Sequence, residues 1–250
     1  MTTGMFFIGR TSTNEANVKG RSVLLVGVAA ILAVVTAEAQ DKNFVIVVRG
    51  SLTTASRLFP NANSTDAIER AGFFPLENSP GAGIELRYSI PQTNLSFGCS
   101  VEYVRARVDQ TLQAQIPIPI EDGYRAIPLE LTGYFLIPVS GPTFGLYMGG
   151  GFGAYFGKRL YRIGDVEVLP LDTGTGFGIH VLGGVRYRFA EWFALEAEMK
   201  FRDVQFETTD AFPVPQIVYR GTVIGVNRNP MHSRVHTDGM VFQIGTAFSF

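Results

Sequence analysis

Along most of this chain, large apolar residues alternate with small or polar ones. The last stretch shows it plainly: Met240, Phe242, Ile244, Phe248 and Phe250 interleave with Val241, Gln243, Gly245, Ala247 and Ser249. A period of two marks a strand with one apolar face and one tight or wet face. Ending on an aromatic ring gains a soluble strand nothing, but such a ring sits well at a lipid–water boundary.

Seven earlier segments carry the same alternation: Asn43–Ser51, Gly81–Ile90, Asn94–Val108, Tyr124–Val139, Thr143–Gly157, Gly174–Phe189 and Phe193–Glu207. The first is too uniformly apolar to orient. No long segment of period 3.6 appears after Gln40. Tight turns fall at Pro91–Thr93, Ser140–Pro142 and Ala190–Trp192. Longer connections cover Leu52–Pro80, 108–123, 158–173 and 208–237. Short turns alternating with long loops predict an all-β fold, an eight-stranded antiparallel up-and-down transmembrane β-barrel. The segments match the roughly 9–11 residues that a tilted strand needs to cross a bilayer.

If the bulky apolar face meets lipid, the charged face meets the lumen. That face carries Glu85, Glu102, Glu130, Glu196 and Glu198 against Arg49, Arg87, Arg186, Arg188, Lys200 and Arg202. Eight strands leave room for side chains but for no open aqueous channel. Charges crowded there must pair, because an uncompensated one costs several kcal/mol. A three-residue turn at Ala190–Trp192 would set Arg186 opposite Glu196. Glycines facing the lumen on neighbouring segments, among them Gly153, Gly176 and Gly178, either make room for large side chains or leave a small cavity in the outer half. Aromatic belts are expected at both interfaces, with Tyr88, Phe97, Phe135, Phe144, Phe189, Trp192, Phe248 and Phe250 on the periplasmic side. Tyr103, Tyr124, Phe156, Phe177, Phe201 and Phe242 are expected toward the other.

Composition sharpens this picture. The chain has 250 residues, 28 Gly, 20 Phe and a formal net charge of −1, so no nucleic-acid partner is expected. A single cysteine, Cys99, excludes an internal disulfide. Lys19 and Arg21 precede the apolar run Val23–Val35, and Ala37-Glu38-Ala39 offers a cleavage site before Gln40. The run is shorter than the ~20 residues of a spanning helix. Residues 1–39 are therefore expected to be a cleavable signal peptide, and 40–250 the barrel.

Chemistry-bearing patterns are sparse. Gly149-Gly150-Gly151-Phe152-Gly153-Ala154 fits G-x-G-x-x-A but lies within a strand with no helix following. His232 and His236, beside Asp238, form a weak metal signal. His232-Ser233 with Asp238, or His180 in the lumen, are the candidates for a catalytic group. Neither sits in a recognisable motif, so no catalytic residue, cofactor or metal is expected.

Eight segments with long–short alternation, the export signal, Ile127-Pro128-Leu129-Glu130-Leu131, Gly178-Ile179-His180-Val181-Leu182-Gly183-Gly184-Val185-Arg186-Tyr187-Arg188-Phe189 and the terminal Phe250 together resemble the OmpA/OmpX-type outer-membrane β-barrel domain family. The resemblance implies residence in the outer membrane of a Gram-negative-type bacterium, among its lipids. It also implies insertion by the outer-membrane assembly machinery, which reads the final strand (here Phe242, Ile244, Phe248 and Phe250). OmpA-like proteins often add a peptidoglycan-binding domain, and that tether is not carried over here. The expected role is a monomeric structural or surface-interaction protein. Its lumen would be plugged by a salt-bridge network, and its external loops would meet any partner. A narrow channel or transporter for small solutes is the alternative, and a lipid-modifying enzyme the third reading. Gln216–Tyr219 and Thr222–Gly225, around Arg220-Gly221, are expected to extend the last two strands as a hairpin with an open edge.

Overall fold

A backbone edge left in hydrocarbon would strand N–H and C=O groups at several kcal/mol each, so membrane strands must pair on both sides. A computed structural model of the chain describes residues 43–113, 116–139 and 141–250, and the export signal falls outside these. Its elements are β1 (Phe44–Phe59), α1 (Ala67–Ala71), β2 (Phe74–Ser89), β3 (Leu95–Leu112), β4 (Ile118–Leu136), β5 (Phe144–Ile163), β6 (Val166–Glu167), β7 (Leu169–Pro170), β8 (Gly174–Ala190), β9 (Phe193–Ala211), β10 (Gln216–Tyr219), β11 (Thr222–Gly225), β12 (Met231–Thr237) and β13 (Met240–Ser249). The ring runs β1-β2-β3-β4-β5-β8-β9-β13 and closes where β13 pairs with β1, every junction antiparallel. Beyond Asp238-Gly239, β12 sits between β9 and β1 and prolongs the line of β13.

The lower part of each strand shows the expected two faces. Val48, Leu52, Leu86, Phe97, Leu131, Phe152, Ile179, Met199 and Ile244 are all exposed on the outside. Alternating positions on the same strands are buried. β1, whose sequence is too apolar to orient, sends Val45, Val47, Arg49, Ser51 and Thr53 inward.

Three expectations need correction. The long connections are shorter than expected, because β1, β2, β3, β4, β5 and β9 run on well past the apolar belt. Their alternation continues in Ser, Thr, Gly and charged residues, which read as loop only while strand is equated with lipid-facing apolarity. Leu52–Pro80 thus becomes two strand extensions with a short loop bearing α1, capped by Asp66, whose side chain accepts the Ile68 N–H at 2.8 Å. Tyr124 belongs to no outer belt: it shares the parity of Glu130 and Thr132 and is fully buried inside. The hairpin Gln216–Gly225 exists, but as a separate two-stranded sheet rather than a prolongation of β9 and β13. Of the two readings of Gly153, Gly176 and Gly178, the packing agrees with the first, that they make room for neighbouring groups. A Cβ on any of them would strike Glu130 or Tyr155, the β9 backbone and Phe206, or Val204.

Above the belt the interior changes character. Leu58, Leu76, Val104, Ala106, Tyr124, Ala126, Phe206 and Val235 form one buried apolar cluster. The Tyr124 hydroxyl bonds Ser56 (3.1 Å) and its ring meets Phe206 edge-on. Gly157 is glycine because the Phe206 ring occupies the place of its Cβ. A second cluster, Ile118, Ile163, Val168, Phe212 and Ile217, is where the inner face of the hairpin seats. Buried polar groups include Arg159, which forks onto Asp122 (3.0 and 2.7 Å) and reaches Ser233 (2.7 Å). Asp210 is wholly buried; Thr208 donates to one oxygen (3.0 Å) while its Oδ1 has no partner.

At the foot of this extension the pleat slips. In β1 the inward positions pass from Thr53 to Ser56, and in β2 from Ser79 to Leu76. Asn78 takes a left-handed backbone (φ 52°) there. On the other flank, Gly239 lies so close to the Ala55 backbone that no Cβ would fit, and the β1 partner register moves by one residue between β13 and β12.

Two outcomes follow from this packing. Gly157→Ala should cost about 1–3 kcal/mol of barrel stability by overpacking, read by urea unfolding of the refolded protein. Phe206→Leu in the same molecule should recover most of that loss. Burial pushes the Asp210 carboxyl above its ordinary range, so the folded state holds its proton more tightly than the unfolded chain. Stability of the extension should then fall as pH rises out of the ordinary carboxylate range. Asp210→Asn should flatten that slope and raise protease resistance of the external segments at neutral pH.

Candidate functional site

The lumen at membrane depth is where the inward charges meet. Strand alternation delivers them from β1, β2, β3, β4, β8 and β9, and the ring brings residues 100 or more apart in sequence into hydrogen-bond range. Toward the tight-turn end, Arg87 donates from Nε to Glu85 (2.8 Å) and from both terminal nitrogens to Glu196 (3.1 and 3.3 Å). The β8–β9 register sets Arg186 opposite Glu196, and its Nε reaches that carboxylate at 2.6 Å. Arg49 binds Glu85, Glu198 (3.2 Å) and the Gln243 side-chain oxygen (3.0 Å). The Arg87 guanidinium lies over the Tyr134 ring, 3.9 Å from its centre, and the Tyr134 hydroxyl donates to Glu85 (2.8 Å).

Nearer the outer end a second group forms. Lys200 donates to Glu130 (2.7 Å). Arg202 donates to Glu102 (3.2 Å) and takes Thr53 as a further acceptor (2.8 Å). Ser51 also donates to Glu102, and Tyr155 to Glu130. Lys200 and Glu198, 4.0 Å apart, join the two groups. His180 contacts Thr132 through Nε2 (2.9 Å), leaving Nδ1 without a partner.

Arg188 is the exception among the charged positions expected inside. It is exposed beside the irregularity at Arg188/Ala190 that ends β8 and makes no ion pair among the described residues. With Arg188 exposed at the barrel's end and left unpaired among the described residues, the acids Glu85, Glu102, Glu130, Glu196 and Glu198 face the bases Arg49, Arg87, Arg186, Lys200 and Arg202, five against five. Sequence reasoning misses the uncharged partners Ser51, Thr53, Tyr134 and Gln243, although each has inward parity on its strand. It misses Asp122, Arg159 and Ser233 because their positions read as loop.

The other candidates separate. His232 and Ser233 are neighbours on β12, so their side chains leave opposite faces: Ser233 is buried on Arg159, while His232 is exposed on Thr209 (3.1 Å). His232 and His236 share a face but stand about 13 Å apart along the strand, and Asp238 is engaged by Arg57. Cys99 is exposed on the apolar face. Phe242, Ile244 and Phe248 project outward from β13, with Phe248 against Trp192 and Phe193, and Phe250 follows the strand's end.

The family model described as outer membrane protein beta-barrel domain matches residues 26–229. No curated protein matches the chain in sequence. Among solved structures it is similar to the outer membrane protein OprG from Pseudomonas aeruginosa, at 14% identity and TM-score 0.50, covering 83% of this chain and 95% of that one. It is also similar to Neisserial surface protein A, at 13% identity and TM-score 0.45, covering 83% and 97%. The family match spans most of the chain, and the closed eight-strand ring with an apolar exterior agrees with it. The chain belongs to the outer membrane protein β-barrel domain family, and its place is the outer membrane of a Gram-negative bacterium.

Proposed function

We propose that this barrel is a non-catalytic structural or surface-interaction protein whose lumen is closed and whose external extension carries any specificity. The observation behind this reading is the succession inside the cylinder. A balanced network of buried ion pairs fills membrane depth, and the cluster of Leu58, Leu76, Tyr124, Phe206 and Val235 lies beyond it. An ion travelling along the axis would have to break charge-assisted bonds and then cross an apolar layer that offers it no ligands. The wall is committed to lipid, so recognition falls to the extension, α1 and the β10–β11 hairpin. We propose further that the barrel is monomeric, is inserted by the assembly machinery through β13, and is exported by the segment ending at Ala37 and Ala39, before Gln40.

The second reading is a narrow conductor for small solutes, and one measurement separates the two. Planar-bilayer recordings of the refolded protein should show no discrete openings, and steady unitary currents would overturn the closed-lumen reading. Breaking the network should be costly. Glu130→Leu leaves Lys200 and Arg202 short of an acid and should lower stability by about 3–5 kcal/mol. The Glu130→Leu/Lys200→Met double variant should recover much of that loss in urea unfolding.

A further inference from the structure

Just above the apolar belt, three cations stand side by side on the outer face of the wall. Arg105 on β3 is the direct cross-strand partner of Arg125 on β4, and Arg125 is the direct partner of Lys158 on β5. Like charges placed directly opposite destabilise a sheet, so this row is unfavourable unless something anionic lies across it. The protein supplies little. Arg105 reaches Glu121 (2.8 Å), but that carboxylate is shared with Arg107 (3.8 Å) and Arg162 (3.9 Å). Neither Arg125 nor Lys158 has a side-chain hydrogen bond or ion pair among the described residues. Depth identifies the missing anion. Two residues toward the membrane on the same faces stand Tyr103, Ile127 and Phe156, all exposed apolar side chains of the lipid belt. The row therefore lies about 7 Å farther along the strands, or about 5 Å higher at the usual tilt, than these acyl-facing residues, on the side of the long strand extensions, which is the external side of such barrels. That is the level of headgroups in the outer leaflet.

We propose that Arg105, Arg125 and Lys158 form a binding site for the phosphate of an outer-leaflet glycolipid, whose acyl chains lie along Tyr103, Ile127 and Phe156. Guanidinium and ammonium donors suit phosphate oxygens. A single phosphate bridging two strands would turn a repulsive pair into a charge-assisted contact. The apolar residues beneath distinguish a lipid from free phosphate, since only a lipid fills both levels.

The test uses the full chain refolded in detergent and native mass spectrometry. Three probes are compared: a phosphorylated, acylated diglucosamine lipid, the same lipid enzymatically dephosphorylated, and inorganic phosphate. The phosphorylated lipid should be retained at least fivefold more than its dephosphorylated counterpart. Arg125→Gln/Lys158→Gln should remove that preference. Arg188→Gln, a charge loss at the opposite, tight-turn end of the barrel, should leave it intact, and Arg125→Lys/Lys158→Arg should keep it. Matching circular dichroism and heat-shifted gel migration would show that each variant folds. Equal retention of the two lipids, or a double Gln variant that still discriminates, overturns the proposal. Displacement of the lipid by micromolar inorganic phosphate overturns the lipid as the source of the phosphate.

Discussion

Charge balance inside a narrow closed ring of strands is the condition on which the membrane portion of this protein rests. Eight strands enclose a space only as wide as the side chains that fill it, and lipid surrounds the wall. Each ionised group therefore finds its counter-ion among the other lumen residues or bears the desolvation cost alone. The five acids and five bases answer that condition by sharing. Glu85 serves Arg49, Arg87 and Tyr134, while Glu196 serves Arg87 and Arg186. Such sharing ties β1, β2, β4, β8 and β9 together across the lumen. A register slip in one strand would strand charges in several others.

The same side-chain economy explains the change of interior above the belt. Outside the bilayer the wall faces water, so the usual arrangement returns, with apolar residues inside and polar ones outside. Phe206, Tyr124, Leu76 and Val235 form there a core like that of a soluble barrel. The glycines on β5 and β8 serve this layer, since Gly157, Gly174 and Gly176 lie where the Phe206 side chain packs. The hairpin adds a roof by burying Ile217 against Phe212 and Ile163.

Much of the fold is legible in the sequence, because Leu, Ile and Phe alternating with Glu, Arg and Gly over so many segments fits two-faced strands and little else. The eight staves follow from parity; the Arg186–Glu196 register is the expected one, but it is reached by a two-residue turn, with Ala190 paired to Phe193, plus the irregularity between Arg188 and Ala190. The extension is less legible for a physical reason. Above the membrane a strand need not be apolar on its outer face, so Thr53–Phe59 and Asp109–Leu112 resemble loop by composition. Tyr124 turns on strict counting, because its parity with Glu130 already puts it inside. The exposure of Arg188 depends on where β8 loses its partner, and turn residues do not report that. The contacts of Ser51, Thr53 and Gln243 follow from strand stagger, which no single segment encodes.

The paired pleat slip at Thr54 and Asn78 bears on how such a protein can change. Because β1 and β2 step together while the Gly239 break absorbs the mismatch on the far side, it works as a clutch between two gears. Insertions or recombined segments beyond it could be accommodated in whole-residue increments without rotating any side chain in the hydrocarbon zone. The extension would then be free to change in length and sequence while the membrane half kept its alternation of inward and outward residues.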